Sequence, residues 1–474
     1  MMALRDLRQY LDLLESRGML RRVKARVSPV LEIPEILRRL MRSGGPAVLF
    51  EDVEGSPGWR VAGNIFCCED AVKLGLGVSS LDELGSRMPS PADVIRGNVT
   101  SLLRAASYLP RQGRPDFEER PDLRLTDLPA FKTWPKDGGR YLTYALLVHR
   151  ESGELGESTN FGVYRVMIVN EREAVVHWQT YKRGYAEEAR ARERGEGRMP
   201  AALVIGADPG TLLAGVMPAP YPLDKYLVAG SLRGEGVEVH QLPNGIRVPA
   251  HAEVVLEGYI DLEDLRPEGP FGDHVGFYDR PDRQFPTFKL ERAYARPDPI
   301  YYGTVVGRPP MEDSVIAKVV ERTFLPLIRY LFPEVVDVSF PAEGWVQGLA
   351  VVSIRKRFPG EAVRVAMGLL GTGQMSLTKI IIVVDSDVNP HDLGQVTWAV
   401  SSFVDPSRDV IVVPQAPADE LDVSYLPRRR VGSKLIVDAT RKLKDETGGE
   451  PPEELEPDRD TVELVNRRWA EYGL

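Results

Sequence analysis

The sequence predicts a mixed α/β and β protein of three units: an N-terminal α/β domain over residues 1–115, a strand-rich central domain over 116–310, and a C-terminal α/β domain over 311–474 ending in a tail helix over 460–472. Three observations carry this prediction. Between about Tyr141 and Tyr302, β-rich runs follow one another, each bounded by Gly, Asp or Pro. After about Met311, apolar strands alternate with helical patterns. A polar, Pro-rich stretch from Pro110 to Lys136 reads as the connection between the first two units.

The N-terminal unit opens with Leu4, Leu7, Leu11 and Leu14 at helical spacing among charges, an amphipathic helix rather than a secretory leader. Ala47–Phe50 reads as a short strand. In the central unit the runs TYALLVHR, VYRVMIVN, EAVVHWQTY, AALVIGA, AEVVLEGYI and TFKLERAYAR read as mostly antiparallel strands of a barrel or sandwich, with helices near Tyr185–Arg194 and Thr211–Val216. In the C-terminal unit, Leu349–Ile354, Ile380–Val384 and Asp409–Val413 read as buried parallel strands. Glu361–Leu370 reads as a helix, and a second helix is expected after Asn389-Pro390, with Asn as cap. The GGEPPEELEPDRD stretch is too polar to pack, and beyond it Val462, Val465, Trp469 and Tyr472 recur at helical spacing, the pattern of a helix that docks on a second subunit.

Composition narrows the function. Among 474 residues, 60 Lys plus Arg face 69 Asp plus Glu, a net charge of -9 that argues against non-specific nucleic-acid binding and polybasic membrane association. The 2 cysteines, Cys67 and Cys68, exclude a disulfide framework and read as buried small hydrophobes. No run approaches the roughly 20 apolar residues of a membrane span. A cytoplasmic protein with no integral membrane segment is expected, and abundant Arg and Glu with few Cys and Asn lean towards a thermophilic source.

The densest chemistry lies in Glu268-Gly269-Pro270-Phe271-Gly272-Asp273. Carboxylates five residues apart point to opposite faces of a flat strand, so both meet one ligand only if the backbone turns, which the Pro and Gly residues permit. A second segment, Asn160 to Arg165, places a guanidinium suited to holding a carboxylate. His149, His240, His251 and His391 stand singly and read as structural. Arg428-Arg429-Arg430 reads as a solvated face.

The string PEGPFGDHVGFYD, together with NFGVYR, resembles the UbiD family of decarboxylases that use prenylated FMN. That resemblance implies a central split β-barrel that binds the flavin, and a catalytic set of Arg165, Glu268 and Asp273. Arg165 would hold the substrate carboxylate, Glu268 would orient Arg165, and Asp273 would donate a proton. For that last role the Asp273 carboxyl is expected to have a pKa raised by burial and by Glu268. The resemblance further places Asn160, Val163, Tyr164, His177, Trp178, Gln179, Met217, Lys225 and Lys379 around the cofactor. Other matches are Gly206-Ala207-Asp208-Pro209, Gly307-Arg308-Pro309-Pro310 and Gly432-Ser433-Lys434 with Asp438-Ala439-Thr440. Family members that bind a divalent cation such as Mn²⁺ use Asn, His and Glu; here the last two positions hold Tyr181 and Lys225, so Asn160 alone survives. His177 is expected on the strand face of Tyr181, and the Lys225 ammonium is expected to replace the cation beside the flavin phosphate.

By resemblance, the activity is non-oxidative decarboxylation of an α,β-unsaturated acid: first trans-anhydromevalonate 5-phosphate, giving isopentenyl phosphate in a mevalonate-pathway variant of isoprenoid biosynthesis, and second a 4-hydroxy-3-polyprenylbenzoate of quinone biosynthesis. A non-catalytic scaffold subunit is the reading from another class, opposed by retention of the three catalytic residues. A flavin prenyltransferase as cofactor supplier and a homo-oligomer, dimer or hexamer, complete the expectations.

Overall fold

The computed structural model describes residues 3–89, 93, 95–427, 430–449 and 452–473. Its first helix, Leu7–Ser16, starts where Asp6 accepts a hydrogen bond from the Gln9 amide, and it buries Leu7, Tyr10, Leu11 and Leu14. The expected stripe is therefore a packing face. An N-terminal sheet follows in the order Leu20–Val27, Ala47–Val53, Arg60–Gly63 and Ile300–Tyr302. Its last strand returns from some 240 residues downstream in sequence (about that many by numbering) to pair in parallel with Arg60–Gly63. Leu7, Tyr10 and Phe66 pack in one apolar cluster with Leu146, Val148 and Val204, so the first two units share a core. Cys67 and Cys68 are free and half-buried rather than buried.

The central sheet has nine strands. Eight run in the order Tyr141–Leu142, Arg165–Ile168, Glu173–His177, Phe285–Ala295, Val254–Arg266, Arg198–Ile205, Leu146–Gly153 and Gly156–Val163, with Glu118–Glu119 added beside Phe285–Ala295. Val254–Arg266 slips register twice against Phe285–Ala295, between Glu257 and Gly258 and between Asp261 and Leu265. Such bulges bend a strand and raise its twist, which curls the sheet into an open barrel. Gly258 sits at the first slip because any Cβ there would lie 1.9 Å from the Lys289 carbonyl oxygen. Helices Arg183–Glu193 and Pro209–Ala214 lie where the pattern put them, to within a few residues. A third helix, Lys225–Arg233, was not expected; Asp224 caps it by accepting from the Tyr226 amide.

Helix Glu312–Leu331 leads into the C-terminal sheet, ordered Val335–Ser339, Leu349–Ile354, Ile380–Asp385, Val431–Asp438 and Val410–Pro417. The three middle strands are parallel, as expected. The strand expected at Asp409–Val413 instead runs Val410–Pro417, antiparallel on the edge and largely solvent-facing. Helix Glu361–Leu370 has the bounds the sequence predicts. The next helix, Leu393–Phe403, is capped by Asp392 and not by Asn389, because Asp392 Oδ1 is the oxygen within reach of the Gly394 and Gln395 amides. The tail forms helix Arg459–Arg468 and a 3₁₀ turn, Trp469–Tyr472, with Val462, Trp469 and Tyr472 exposed. Arg428 and Arg429 lie outside the described residues; Arg430 is partly exposed beside Asp282. Among the described residues, no helix is long and apolar enough to cross a membrane.

Candidate active site

Arg165 begins the strand that follows Gly156–Val163, and its antiparallel partner residue is His177. Cross-strand partners share a face, so guanidinium and imidazole meet on one side of the curled sheet. Glu268 arrives on the loop that leaves Val254–Arg266. There Gly269 adopts a φ of 93° and the Gly269-Pro270 peptide is cis. The two-residue strands Phe271–Gly272 and Tyr278–Asp279 then pair as a small hairpin, with Phe271 opposite Asp279. This hairpin brings three acids to one arginine.

Arg165 Nε and Nη2 donate to the two oxygens of Glu268 at 3.1 and 2.7 Å, Nη1 donates to Asp273 at 2.6 Å, and Nη2 also donates to Asp279 at 2.6 Å. The Phe271 ring closes the other face, 4.7 Å from the guanidinium carbon. All four polar side chains are buried. The arginine holds Glu268 ionised: its carboxyl lies at a pKa of about 2, despite burial pulling the other way, because Arg165 and His177 both favour the carboxylate. Burial and the Arg165 charge keep His177 neutral. Its Nδ1–H donates to Glu268 at 2.9 Å, which leaves Nε2 as a buried acceptor with no partner among the described residues.

Asp273 overturns one expectation. Burial does push its carboxyl up, but His274 and Arg165 together hold it well below the ordinary carboxylate range. The structure thus has Asp273 ionised, not protonated. Its neighbour His274 is pushed up to about 9, through its bond to Asp273 and the charges of Asp419 and Asp313.

The remaining expected cofactor residues make contacts of their own. Val163 is half-buried; Tyr164 packs edge-on to Trp178 at 5.8 Å, and Trp178 Nε1 donates to Glu188. Gln179 donates across to Asp419 at 3.1 Å, and Lys379 on the same C-terminal unit donates to Ser424 Oγ at 2.6 Å and pairs with Asp422 at 3.1 Å. Asn160 Nδ2 lies 3.0 Å from His149 Nε2, so His149 has a buried side-chain partner and does not stand singly. Tyr181 falls beyond the end of the Glu173–His177 strand, with its hydroxyl donating to the Arg430 carbonyl at 3.1 Å; it does not share a strand face with His177.

Lys225 stands in the first turn of its helix, not on a strand. Its ammonium is buried and donates to the carbonyls of Ala214 at 2.7 Å and Met217 at 2.6 Å, with the Phe161 ring 5.9 Å away. Burial, Arg183 and Lys182 push its pKa well below that of a free lysine. Arg183 is ion-paired with Glu151, so one remaining Lys225 hydrogen and the half-buried Lys182 are the donors left to meet an anion such as a phosphate. In the C-terminal unit, the buried Lys434 ammonium has no hydrogen-bond partner among the described residues, though the charges of Asp419 and Asp422 act on it. The orphaned His177 Nε2 adds an acceptor for a ring N–H or hydroxyl. These features fit a planar, phosphate-bearing cofactor. His177, Glu268 and Asp279 also converge within the reach of one cation, but Arg165 already fills the space between them.

Comparison with known proteins decides the family. Three family models match in chain order: the 3-octaprenyl-4-hydroxybenzoate carboxy-lyase N-terminal domain at residues 11–88, its Rift-related domain at 110–309, and its C-terminal domain at 314–439. The chain belongs to the UbiD family. It is 58% identical to an uncharacterized protein of Aeropyrum pernix, over 99% of both chains. Among solved UbiD-like structures, the vanillic acid decarboxylase of Sedimentibacter hydroxybenzoicus in closed form superposes with a TM-score of 0.88 at 26% identity, over 100% of both chains. The same enzyme in open form gives 0.79. The UbiD-class enzyme HmfF from Pelotomaculum thermopropionicum, in complex with FMN, gives 0.78 at 25% identity, covering 97% of this chain and 99% of that one. This chain is therefore a UbiD-family carboxy-lyase with that family's mixed α/β architecture.

The residue that sequence reasoning missed is Asp279. Its signal was present, since it ends the PEGPFGDHVGFYD string six positions after Asp273, but only the hairpin turns that spacing into a contact.

Proposed function

We propose that this chain is a prenylated-FMN-dependent decarboxylase of an α,β-unsaturated carboxylic acid, with trans-anhydromevalonate 5-phosphate, yielding isopentenyl phosphate and CO₂, as the substrate that fits best. The observation that supports it is one arginine locked among Glu268, Asp273 and Asp279. Decarboxylation leaves an electron pair on carbon that no ordinary side chain delocalises; the cofactor supplies that sink when bound. Lys225, with Arg183 and Lys182 near it, would hold the cofactor phosphate in place of a divalent cation. His177 Nε2 would accept from its ring system.

The chain's own groups do the positioning. Most of the Arg165 donors are spent on Glu268, Asp273 and Asp279, leaving one Nη1 hydrogen uncommitted among the described contacts. Arg165 therefore gives the substrate carboxylate one hydrogen bond at most, rather than a fork, and chiefly fixes the three acids. Asp273 would hand a proton to the carbon that has lost CO₂. On the C-terminal side, Lys182 and Lys434 face Asp419, and the unpartnered Lys434 ammonium favours a phosphorylated acid over a polyprenylated one, which would want a long apolar channel. A flavin prenyltransferase would supply the cofactor, and the enzyme would act in the cytoplasm as a homo-oligomer.

Co-production with a flavin prenyltransferase tests this reading. A flavin-like visible spectrum and CO₂ release from trans-anhydromevalonate 5-phosphate are expected. CO₂ release from a 4-hydroxy-3-polyprenylbenzoate alone would move the substrate, and release from neither acid by spectrally loaded protein would favour a scaffold.

A further inference from the structure

We propose that His274 stores the proton for decarboxylation and supplies it through Asp273. This inference rests on the decarboxylase reading above. Asp273 has no room for a resting proton: its Oδ1 accepts from both the His274 amide at 2.7 Å and His274 Nδ1 at 2.8 Å, while Oδ2 accepts from Arg165 Nη1 at 2.6 Å. Each oxygen is filled by a donor, and the two side-chain donors are cationic or poised to be.

The imidazole is surrounded by acids from three elements. Asp273 adjoins it in the chain, Asp313 faces it from the first turn of helix Glu312–Leu331, and Asp419 faces it from the segment after strand Val410–Pro417. The positive charges around this group are one step removed: Arg165 acts on Asp273, while Lys182 and Lys434 face Asp419. Burial opposes a charged imidazole, yet the acids win and hold His274 protonated up to about pH 9. Burial also lifts Asp313 to about 6, which makes it a weaker supporter at low pH.

The C-terminal unit packs against this imidazole with a backbone that side chains rarely tolerate. The Trp345 ring lies 6.1 Å from the His274 ring, and Trp345 and Val346 have φ of 42° and 67°. Two adjacent non-glycine residues in left-handed conformation are strained, and such strain persists where surrounding contacts demand it. The His274 side chain is 20% exposed and that of Asp273 11% exposed, so the histidine is the member of the pair nearer to water.

The proton transfer balances. The substrate carboxylate departs as CO₂ and its C–C bonding pair stays on carbon. His274 Nδ1 first passes its proton to the ionised Asp273 at Oδ1, and Asp273 then delivers that proton to the carbon. One C–C bond breaks, one C–H bond forms, Asp273 ends ionised, and His274, left as the neutral Nε2–H tautomer, regains a proton from water at Nδ1. Because it acts through Asp273, His274 is a positioning residue rather than one that touches the reacting atoms.

Two measurements test this. In the unloaded full-length protein, ¹⁵N-histidine NMR should show the His274 imidazole losing its proton near pH 9; loss at the ordinary value of about 6.5 would overturn the inference whatever the enzyme's activity. In the cofactor-loaded enzyme, His274→Gln should keep the flavin spectrum, lower kcat by roughly 10²–10⁴-fold and abolish the fall in kcat as pH rises through 9. Asp419→Asn should move that alkaline limb to lower pH. A wild-type enzyme that turns over, with an unchanged alkaline limb in His274→Gln, rejects the relay but not the decarboxylase; a His274 titrating near 9 in protein that decarboxylates no acid rejects the decarboxylase but not the stored proton.

Discussion

At the scale of single residues, one guanidinium sets the charge of the whole site. Arg165→Met would leave Glu268, Asp273 and Asp279 buried together without their cation. Uncompensated buried charge costs about 3–5 kcal/mol, so a clear drop in thermal midpoint is expected along with loss of turnover. Calorimetry beside a CO₂ assay checks both. The pH dependence of stability has opposite signs for two neighbours. Glu268 has its pKa depressed to about 2, so its contribution is full above the unfolded value of about 4.3 and is lost as pH falls towards 2. His274 is raised to about 9, so its contribution is full below about 6.5 and is lost as pH rises through 9. Denaturant melts across pH should show both slopes; Glu268→Gln should remove the acid one and His274→Asn the alkaline one.

At the scale of elements, the loop carrying Glu268 is held by backbone contacts that leave no space for a side chain. The Gly138 amide donates to the Pro270 carbonyl at 2.8 Å, and a Cβ at Gly138 would lie 2.3 Å from the Gly269 carbonyl oxygen. Gly138→Ala should therefore displace Glu268 and lower kcat at least tenfold, with a smaller effect on the midpoint of unfolding, as a melt and a CO₂ assay on one preparation would show. Elements also divide what the sequence revealed from what it hid. Ile380–Val384 and Glu361–Leu370 were legible because a fully apolar run and a 3.6-residue stripe are local signals. Helix Lys225–Arg233 was not, since Pro-rich sequence leads straight into its Asp224 cap and masks the onset. The edge position of Val410–Pro417 depends on pairing with a strand later in the chain, which no local run encodes. In the site, the convergence of Arg165, Glu268 and Asp273 followed from a recognisable motif, whereas the charge on Asp273 depended on His274 and Arg165 being bonded to it. The tail helix makes a prediction of its own: with Val462, Trp469 and Tyr472 exposed, removing residues 452–474 should leave the midpoint of unfolding unchanged within about 2 °C and lower the mass measured by light scattering.

At the scale of the molecule, the C-terminal unit is clasped to the central sheet at the rim of the site. Gln179 donates to Asp419, the Thr180 amide and hydroxyl donate to Glu420, Arg283 approaches Glu420 at 3.8 Å, and the Tyr181 hydroxyl donates to the Arg430 carbonyl. Glu420 takes part in several of these contacts. Glu420→Ala should loosen the two units, raising the radius of gyration in X-ray scattering and lowering kcat/KM more than the melting midpoint.

The lysine at position 225 has a consequence for how such an enzyme lives in the cell. An ammonium tethered to the Ala214 and Met217 carbonyls is built into the chain at synthesis and cannot be removed by a chelator. Prolonged dialysis against EDTA should therefore leave the bound flavin in place.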